Sequence, residues 1–180
     1  MSAVLSPCGR YRYRLDRDVS VFGSDRVLFV MLNPSVADAS KDDPTIRKDL
    51  GFADRKWSTG RLDVVNLYGW RATDPADLRR AWERGEDVIG PENDEHIAQA
   101  ADAASIIVVA WGALNLCAMS VAAQERAREV VGRLRVAAAG RPLWCFGTTL
   151  GGQPRHPLMV SYSVEPHEWV EPARARTVAS

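Results

Sequence analysis

Several things are scarce in this 180-residue chain. Cysteine occurs only at Cys8, Cys117 and Cys145, with no CxxC or other metal-ligand spacing. That excludes a zinc ribbon and a four-cysteine iron–sulfur cluster, and no other metal or cofactor is expected. Cys117 and Cys145 stand in apolar runs and read as small buried hydrophobes, which fits a reducing cytoplasm. Histidine occurs only at 96, 156 and 167, without HExxH, so a zinc hydrolase has no support. His96, in the acidic stretch Glu92–Glu95, reads as a solvated surface residue. No GxxxxGK[ST], no GxGxxG after a strand and no GxSxG is present, which removes NTPase, dinucleotide and hydrolase-elbow readings. The longest apolar run, 106–110, is far too short to span a bilayer, and residues 1–8 lack the pattern of a signal peptide. Net charge is zero, with Lys+Arg 23 and Asp+Glu 23, which argues against adhesion by bulk positive charge. Lysine is confined to 41, 48 and 56; the other basic residues are arginine.

What remains is a single globular domain, 1–180, with its core over about 11–162. Four short apolar runs, 27–32, 62–67, 106–111 and 143–146, are rich in β-branched or aromatic residues. Continuous rather than alternating runs suggest strands buried on both faces, as in a parallel sheet. Helical stretches lie between them. Asp42-Asp43-Pro44-Thr45 is a helix start, an Asp cap followed by Pro at the first position. Ile46, Leu50, Ala53 and Trp57 then recur at helical spacing, and Gly60 closes the segment. Further helices are expected over 75–82 with Asp74 as cap, 91–104 and 119–134. The alternation predicts an α/β fold, a three-layer α/β/α sandwich on a four-stranded parallel sheet. Residues 11–15 alternate and are expected to pair with 19–22 as a peripheral hairpin turning at Asp16-Arg17-Asp18. Residues 165–180 read as a loosely held tail. Charge is split along the chain. Seven acids and one base lie in 83–102, six arginines and one acid in 126–155. One acidic and one basic face are therefore expected.

In open α/β sheets ligands bind beyond the C-terminal strand ends. Asn33-Pro34-Ser35 follows the first run, and Asn66-Leu67-Tyr68-Gly69-Trp70-Arg71 ends the second. Trp111-Gly112-Ala113 follows the third, and a glycine-rich segment reaching Arg155-His156-Pro157-Leu158 follows the fourth. One asparagine at a strand end is explained as well by a bond to its own loop. Two, together with a histidine, converge on one rim and point to a ligand site.

These motifs, in this order, resemble those of the uracil-DNA glycosylase superfamily. There one strand ends in Asp-Pro or Asn-Pro, a second in Asn and a later one in Trp-Gly. The last motif is His-Pro-Ser-Pro-Leu or a relative. More closely, 31–35, 42–45, 66–75, 90–94 and 154–158 resemble a bacterial family of unknown function, DUF1643, over roughly 11–160. The glycosylase resemblance implies a pocket that excises a base flipped out of DNA, in a cytoplasmic monomer. It implies that Asn33 positions the attacking water or stabilises an oxocarbenium-like sugar. Asn66 reads the base edge, and His156 donates to the base oxygen as charge develops there. Leu158 or Met159 fills the space left by the nucleotide. Arg71, Gly112, Arg155, Ser161 and the 151–152 turn lie near DNA phosphates. Tyr68 and Trp70, which follow Asn66, are candidates to stack on a flipped base, with a core role the alternative for the Trp.

This chain departs from that pattern at two places. Asn33 is an amide and cannot act as a base, so a nearby carboxylate, Asp38, Asp42 or Asp43, is a candidate helper, with Asp43 preferred. The residue after Asn33-Pro34 is Ser35, where uracil-specific members carry a Tyr that blocks groups on pyrimidine C5. A small residue leaves room for a C5-modified or damaged pyrimidine, such as a hypermodified cytosine in phage DNA, and so for a role in phage defence. No lysine lies in the motifs, so a monofunctional hydrolase is expected over a Schiff-base enzyme. Two rivals remain: an N-glycosidase on free nucleosides or nucleotides, and a non-catalytic nucleic-acid-binding module.

Overall fold

The computed structural model describes residues 1–35, 42–115 and 117–172, with only the backbone of Pro75 and Cys117. Asp38 lies outside the described residues. Seven strands form one sheet. They are β1 (Ser2–Leu5), β2 (Arg12–Asp18), β3 (Asp25–Met31), β4 (Thr59–Asn66), β5 (Ile106–Val109), β6 (Leu143–Cys145) and β7 (His167–Glu168), in the order β1-β2-β4-β3-β5-β6-β7. The four apolar runs are the centre, β4-β3-β5-β6, and are mutually parallel. The parallel sheet is therefore present inside a larger mixed one. β1 and β2 extend it antiparallel on one edge, and β7 on the other.

Four helices are described: α1 (Pro44–Lys56), α2 (Pro75–Glu83), α3 (Asn93–Ala103) and α4 (Ser120–Ala138). The pleat sends alternate residues of β3 to opposite faces. Val27, Phe29 and Met31 pack with Ile46, Phe52 and Ala53 of α1. Leu28 and Val30 pack with Leu78 of α2, Ile97 and Ala101 of α3, and Val130 and Leu134 of α4. Helices thus cover both faces, which is why the central strands read as unbroken apolar runs. Both expected aspartate caps are found: Asp43 accepts from the Ile46 N–H at 2.8 Å, and Asp74 from the Ala76 N–H at 2.8 Å.

Several expectations are corrected. Residues 11–15 and 19–22 do not form a hairpin. Asp16-Arg17-Asp18 continues β2, which pairs with β1 on one side and β4 on the other. With neighbours on both edges and cover on both faces, the polar members of its alternation are as buried as the apolar ones, Arg12 at 2 % beside Tyr13 at 1 %. Gly60 does not close α1 but lies in β4, where a Cβ would meet the Gly23 carbonyl at 2.3 Å. The tail is not loose where it is described: β7 pairs with β6, and buried Trp169 stacks edge-on against Trp111, 5.5 Å between centroids. His96 is half-buried rather than solvated, its ring stacked on Tyr13 at 5.2 Å.

The charge split does not make two opposed faces. The acidic and Arg-rich stretches form α3 and α4, which pack together. Asp94 takes Arg126 at 2.5 Å and Arg133 at 2.9 Å. Arg135 pairs with Glu171 at 3.0 Å, and Arg141 donates to the carbonyls of Ala137, Ala138 and Ala101. Much of the arginine excess is internally neutralised.

Candidate functional site

A cavity of about 460 Å³ opens at the C-terminal ends of the parallel strands. β3 supplies Met31 and the following Leu32, Asn33 and Ser35, β4 Val64 and Asn66, and the turn after β5 Trp111, Gly112 and Ala113. Asp43 and Ile46 come from the start of α1, His156 and Leu158 from the segment after β6. Strand-end convergence, read from spacing alone, is what the fold delivers.

Asn66 is the least satisfied group in the wall. It is 1 % exposed, and its side-chain Nδ2 has no hydrogen-bond partner among the described residues. A buried amide donor without an acceptor costs roughly 1–3 kcal/mol. The backbone around it, by contrast, is fastened. Asn93 Nδ2 donates to the Asn66 carbonyl at 3.0 Å, and Arg126 Nε donates to the Leu67 carbonyl at 2.8 Å. The strand end is fixed by its backbone while the Asn66 side-chain Nδ2 is unpartnered among the described residues.

Asn33 is half tied. Its Nδ2 donates to the Ala72 carbonyl at 2.9 Å, which turns Oδ1 the other way as an acceptor. The same amide therefore ties the loop and lines the cavity. Asp43 is also shared: Oδ1 caps α1, and Oδ2 accepts from the Ser35 hydroxyl. That bond orients the Ser35 side chain in the wall.

His156 is placed by its surroundings. Its Nδ1 accepts from the Leu158 N–H at 3.3 Å, so in the neutral ring the proton sits on Nε2. Burial lowers the imidazole from its ordinary value, and the Asp43 charge opposes. A neutral ring with a defined Nε2–H donor results. Gly112, at φ +80°, backs it; a Cβ there would stand 3.2 Å from the His156 Cβ.

Arg12 and Asp49 were not singled out by the sequence. Arg12, from β2, lines the cavity although it is 2 % exposed. Burial lowers its guanidinium to about 10 while Asp43 opposes, so it remains cationic at neutral pH. The alternation over 11–15 had read only as a peripheral hairpin. Asp49, on α1, is fully buried with neither carboxyl oxygen hydrogen-bonded among the described residues. Burial pushes its carboxyl well above the usual range, Asp43 adds to the rise and Arg12 opposes it.

Of the other expected residues, Leu158 lines the cavity, while Tyr68, Arg71, Arg155, Met159 and Ser161 do not. Tyr68 is 2 % exposed and packs in the core beside Leu67 and Ala72, so it cannot stack on a base there. Burial pushes its hydroxyl up to about 12. Arg71 donates to the Gly9 carbonyl at 3.1 Å, and Arg155 Nε to the Thr148 carbonyl at 3.1 Å. Leu158 and Met159 stand exposed in the 3-10 turn Pro157–Met159, at 48 % and 76 %, and Leu158 lines the mouth. Ser161 is exposed beyond them and shares a 2.9 Å hydrogen bond with Ser163.

The family model for a protein of unknown function, DUF1643, matches residues 12–158. The chain belongs to this family. No curated protein and no solved structure matches it. The DUF1643 match begins at Arg12 and ends at Leu158, two residues in the cavity wall, and so takes in the whole of that wall. Among the described residues no cluster of three or more His, Cys, Asp or Glu could hold a metal, and no helix is long and apolar enough to cross a membrane.

Proposed function

We propose that this DUF1643 protein is a DNA glycosylase-like hydrolase that excises a flipped pyrimidine and accepts a substituent at C5. The single observation that carries this is Asn66, a cavity-wall residue whose buried amide donor has no hydrogen-bond partner among the described residues. An acceptor on a pyrimidine edge supplies the missing partner. A volume of about 460 Å³ lies within the range of roughly 300–1,000 Å³ that holds drug-sized ligands, more room than one bare pyrimidine ring needs.

The chemistry follows from the groups present. Asn33 Oδ1 accepts a hydrogen bond from a water and aims its oxygen at the anomeric carbon. The glycosidic C–N bond breaks, and its electron pair leaves with the base. The His156 Nε2–H stabilises the negative charge that develops on the base oxygen. The Asp43 carboxylate faces the positive charge on the sugar and receives the proton the water loses. No lysine lines the cavity among the described residues, so release ends at an abasic site without a Schiff base. Leu158, at the cavity mouth, or the exposed Met159 beside it in the chain fills the gap in the stack.

The test is a screen of oligonucleotides carrying C5-modified and damaged pyrimidines, read as alkali-cleavable abasic sites. Release from at least one member is expected, falling about 10²-fold or more in Asn33→Ala and His156→Ala. Binding without release across the panel overturns the hydrolase and favours a binding module. Ser35→Tyr tests the C5 feature separately. It is expected to abolish release of bulky C5-substituted bases and spare small ones; equal loss or no loss on both sinks that feature.

Arg12 favours a second reading. A buried cation in the wall suits an anionic group, as on a free nucleotide. Release of base from nucleoside monophosphates, with no activity on DNA, would select it.

A further inference from the structure

We propose that the outer face of α1, with Tyr162 laid against it, is the track that holds the DNA phosphate backbone beside the cavity mouth. This rests on the glycosylase reading above and adds the surface by which the protein grips its substrate. The sequence placed the basic face in 126–155, but α4 spends much of its charge on Asp94, Glu129 and Glu171. α1 does not. Lys56 pairs with Glu165 at 2.5 Å, whereas Arg47, Lys48 and Arg55 make no ion pair with a carboxylate among the described residues.

The cations are also ordered. Lys48 Nζ lies 3.8 Å from the Tyr162 ring centroid, and the Arg55 guanidinium 4.3 Å from it. Tyr162 lies this close because residue 51 is glycine: a Cβ there would fall 2.4 Å from the Tyr162 hydroxyl. The ring also packs on Phe52, 4.9 Å between centroids. Cations held over an aromatic face lose less side-chain freedom on meeting a phosphate than free lysines do. The 3-10 turn Pro157–Met159, which carries the exposed Leu158 and Met159, packs against the same helix. An apolar wedge flanked by a short cationic strip suits a duplex strand next to a flipped nucleotide. Among the described residues the acids near this helix include Asp54, exposed on α1, Asp49, buried beneath it, Glu165, paired with Lys56, and Asp42, paired with Arg17.

The experiment is the salt dependence of binding to a duplex bearing a single abasic site, wild type against variants. Each of Arg47→Gln, Lys48→Gln and Arg55→Gln is expected to reduce the magnitude of the log–log salt slope by about 0.9, and the triple variant by about 2–3. Arg79→Gln with Arg80→Gln, on α2, is the control and leaves the slope unchanged. Lys48→Gln and Arg55→Gln also remove cation contacts to the Tyr162 ring, so a thermal melt of each variant accompanies the titration, and Arg47→Gln, which touches no aromatic ring among the described contacts, carries the slope test where a melt shifts. Wild-type binding with an unchanged slope in the α1 variants overturns the track and leaves the glycosylase reading standing. Absence of any wild-type DNA binding overturns both.

Discussion

Asn66→Ala is expected to lower base release by about 10²–10³-fold while the thermal midpoint holds or rises. The two halves of this result have one cause. Removing a hydrogen bond made only in the reacting complex raises the barrier. Removing a buried donor that has no partner in the free protein, as Asn66 Nδ2 has none among the described residues, relieves an unfavourable burial. The usual outcome for a buried polar residue is the reverse, because its truncation breaks a bond that holds the fold. Activity and stability that fall together would make Asn66 a structural residue and remove the main support for the pocket. The measurement pairs single-turnover abasic-site formation with a thermal melt of the same preparation. Asn93→Ala is the useful contrast, since Asn93 Nδ2 donates to the Asn66 and Leu67 carbonyls and is 0 % exposed. Losing it destabilises the fold and misplaces the strand end at once.

Asp49→Asn is expected to stabilise the protein at neutral pH by about 1–3 kcal/mol, with the gain vanishing in acid. Asp49 is fully buried with neither oxygen hydrogen-bonded among the described residues, and burial raises its carboxyl well above the unfolded value. A group raised in this way favours the fold only while it carries its proton. That contribution is complete below the unfolded value of about 3.9 and is lost as pH rises towards the folded value. Asparagine keeps the neutral shape at every pH. The difference between variant and wild type therefore opens from about pH 4 upward. Denaturant melts of both proteins between acid and neutral pH measure it. A pH-independent difference, or an asparagine variant less stable at neutral pH, would show that the Arg12 charge holds Asp49 ionised.

The central sheet was legible because its strands are covered on both faces. Burial on both sides removes the period-two alternation and leaves apolar runs, and each run is present as a strand. The helix starts were legible because capping is local: Asp43 and Asp74 act within three residues of themselves. Asn33, Asn66 and His156 were legible because strand order brings them to one rim; Ser35, Asp43 and Gly112 came with the resemblance, and all six line one cavity. Arg12 was missed because its alternating strand looked like an edge, and only the pairing of β2 between β1 and β4 buries it. Asp49 was missed because a helix period marks the apolar face, and a carboxylate on that face reads as an interruption. The expected basic face over 126–155 is largely paired with acids, because counting charges along a chain cannot tell which of them meet. Asp94 and Arg126 are 32 positions apart and in contact.

The segment after the cavity residues has a practical consequence for anyone trimming this chain. The family match ends at 158, and a cut there looks natural on sequence grounds. It would strip β7 from β6 and leave the sheet with a raw edge, the kind of surface that recruits other strands. It would also take away Trp169, whose ring is braced against Trp111 and whose indole N–H reaches the Gly152 carbonyl at 3.1 Å. Trp111 is part of the cavity wall, so the closing stretch of the chain serves as a buttress for the pocket it follows.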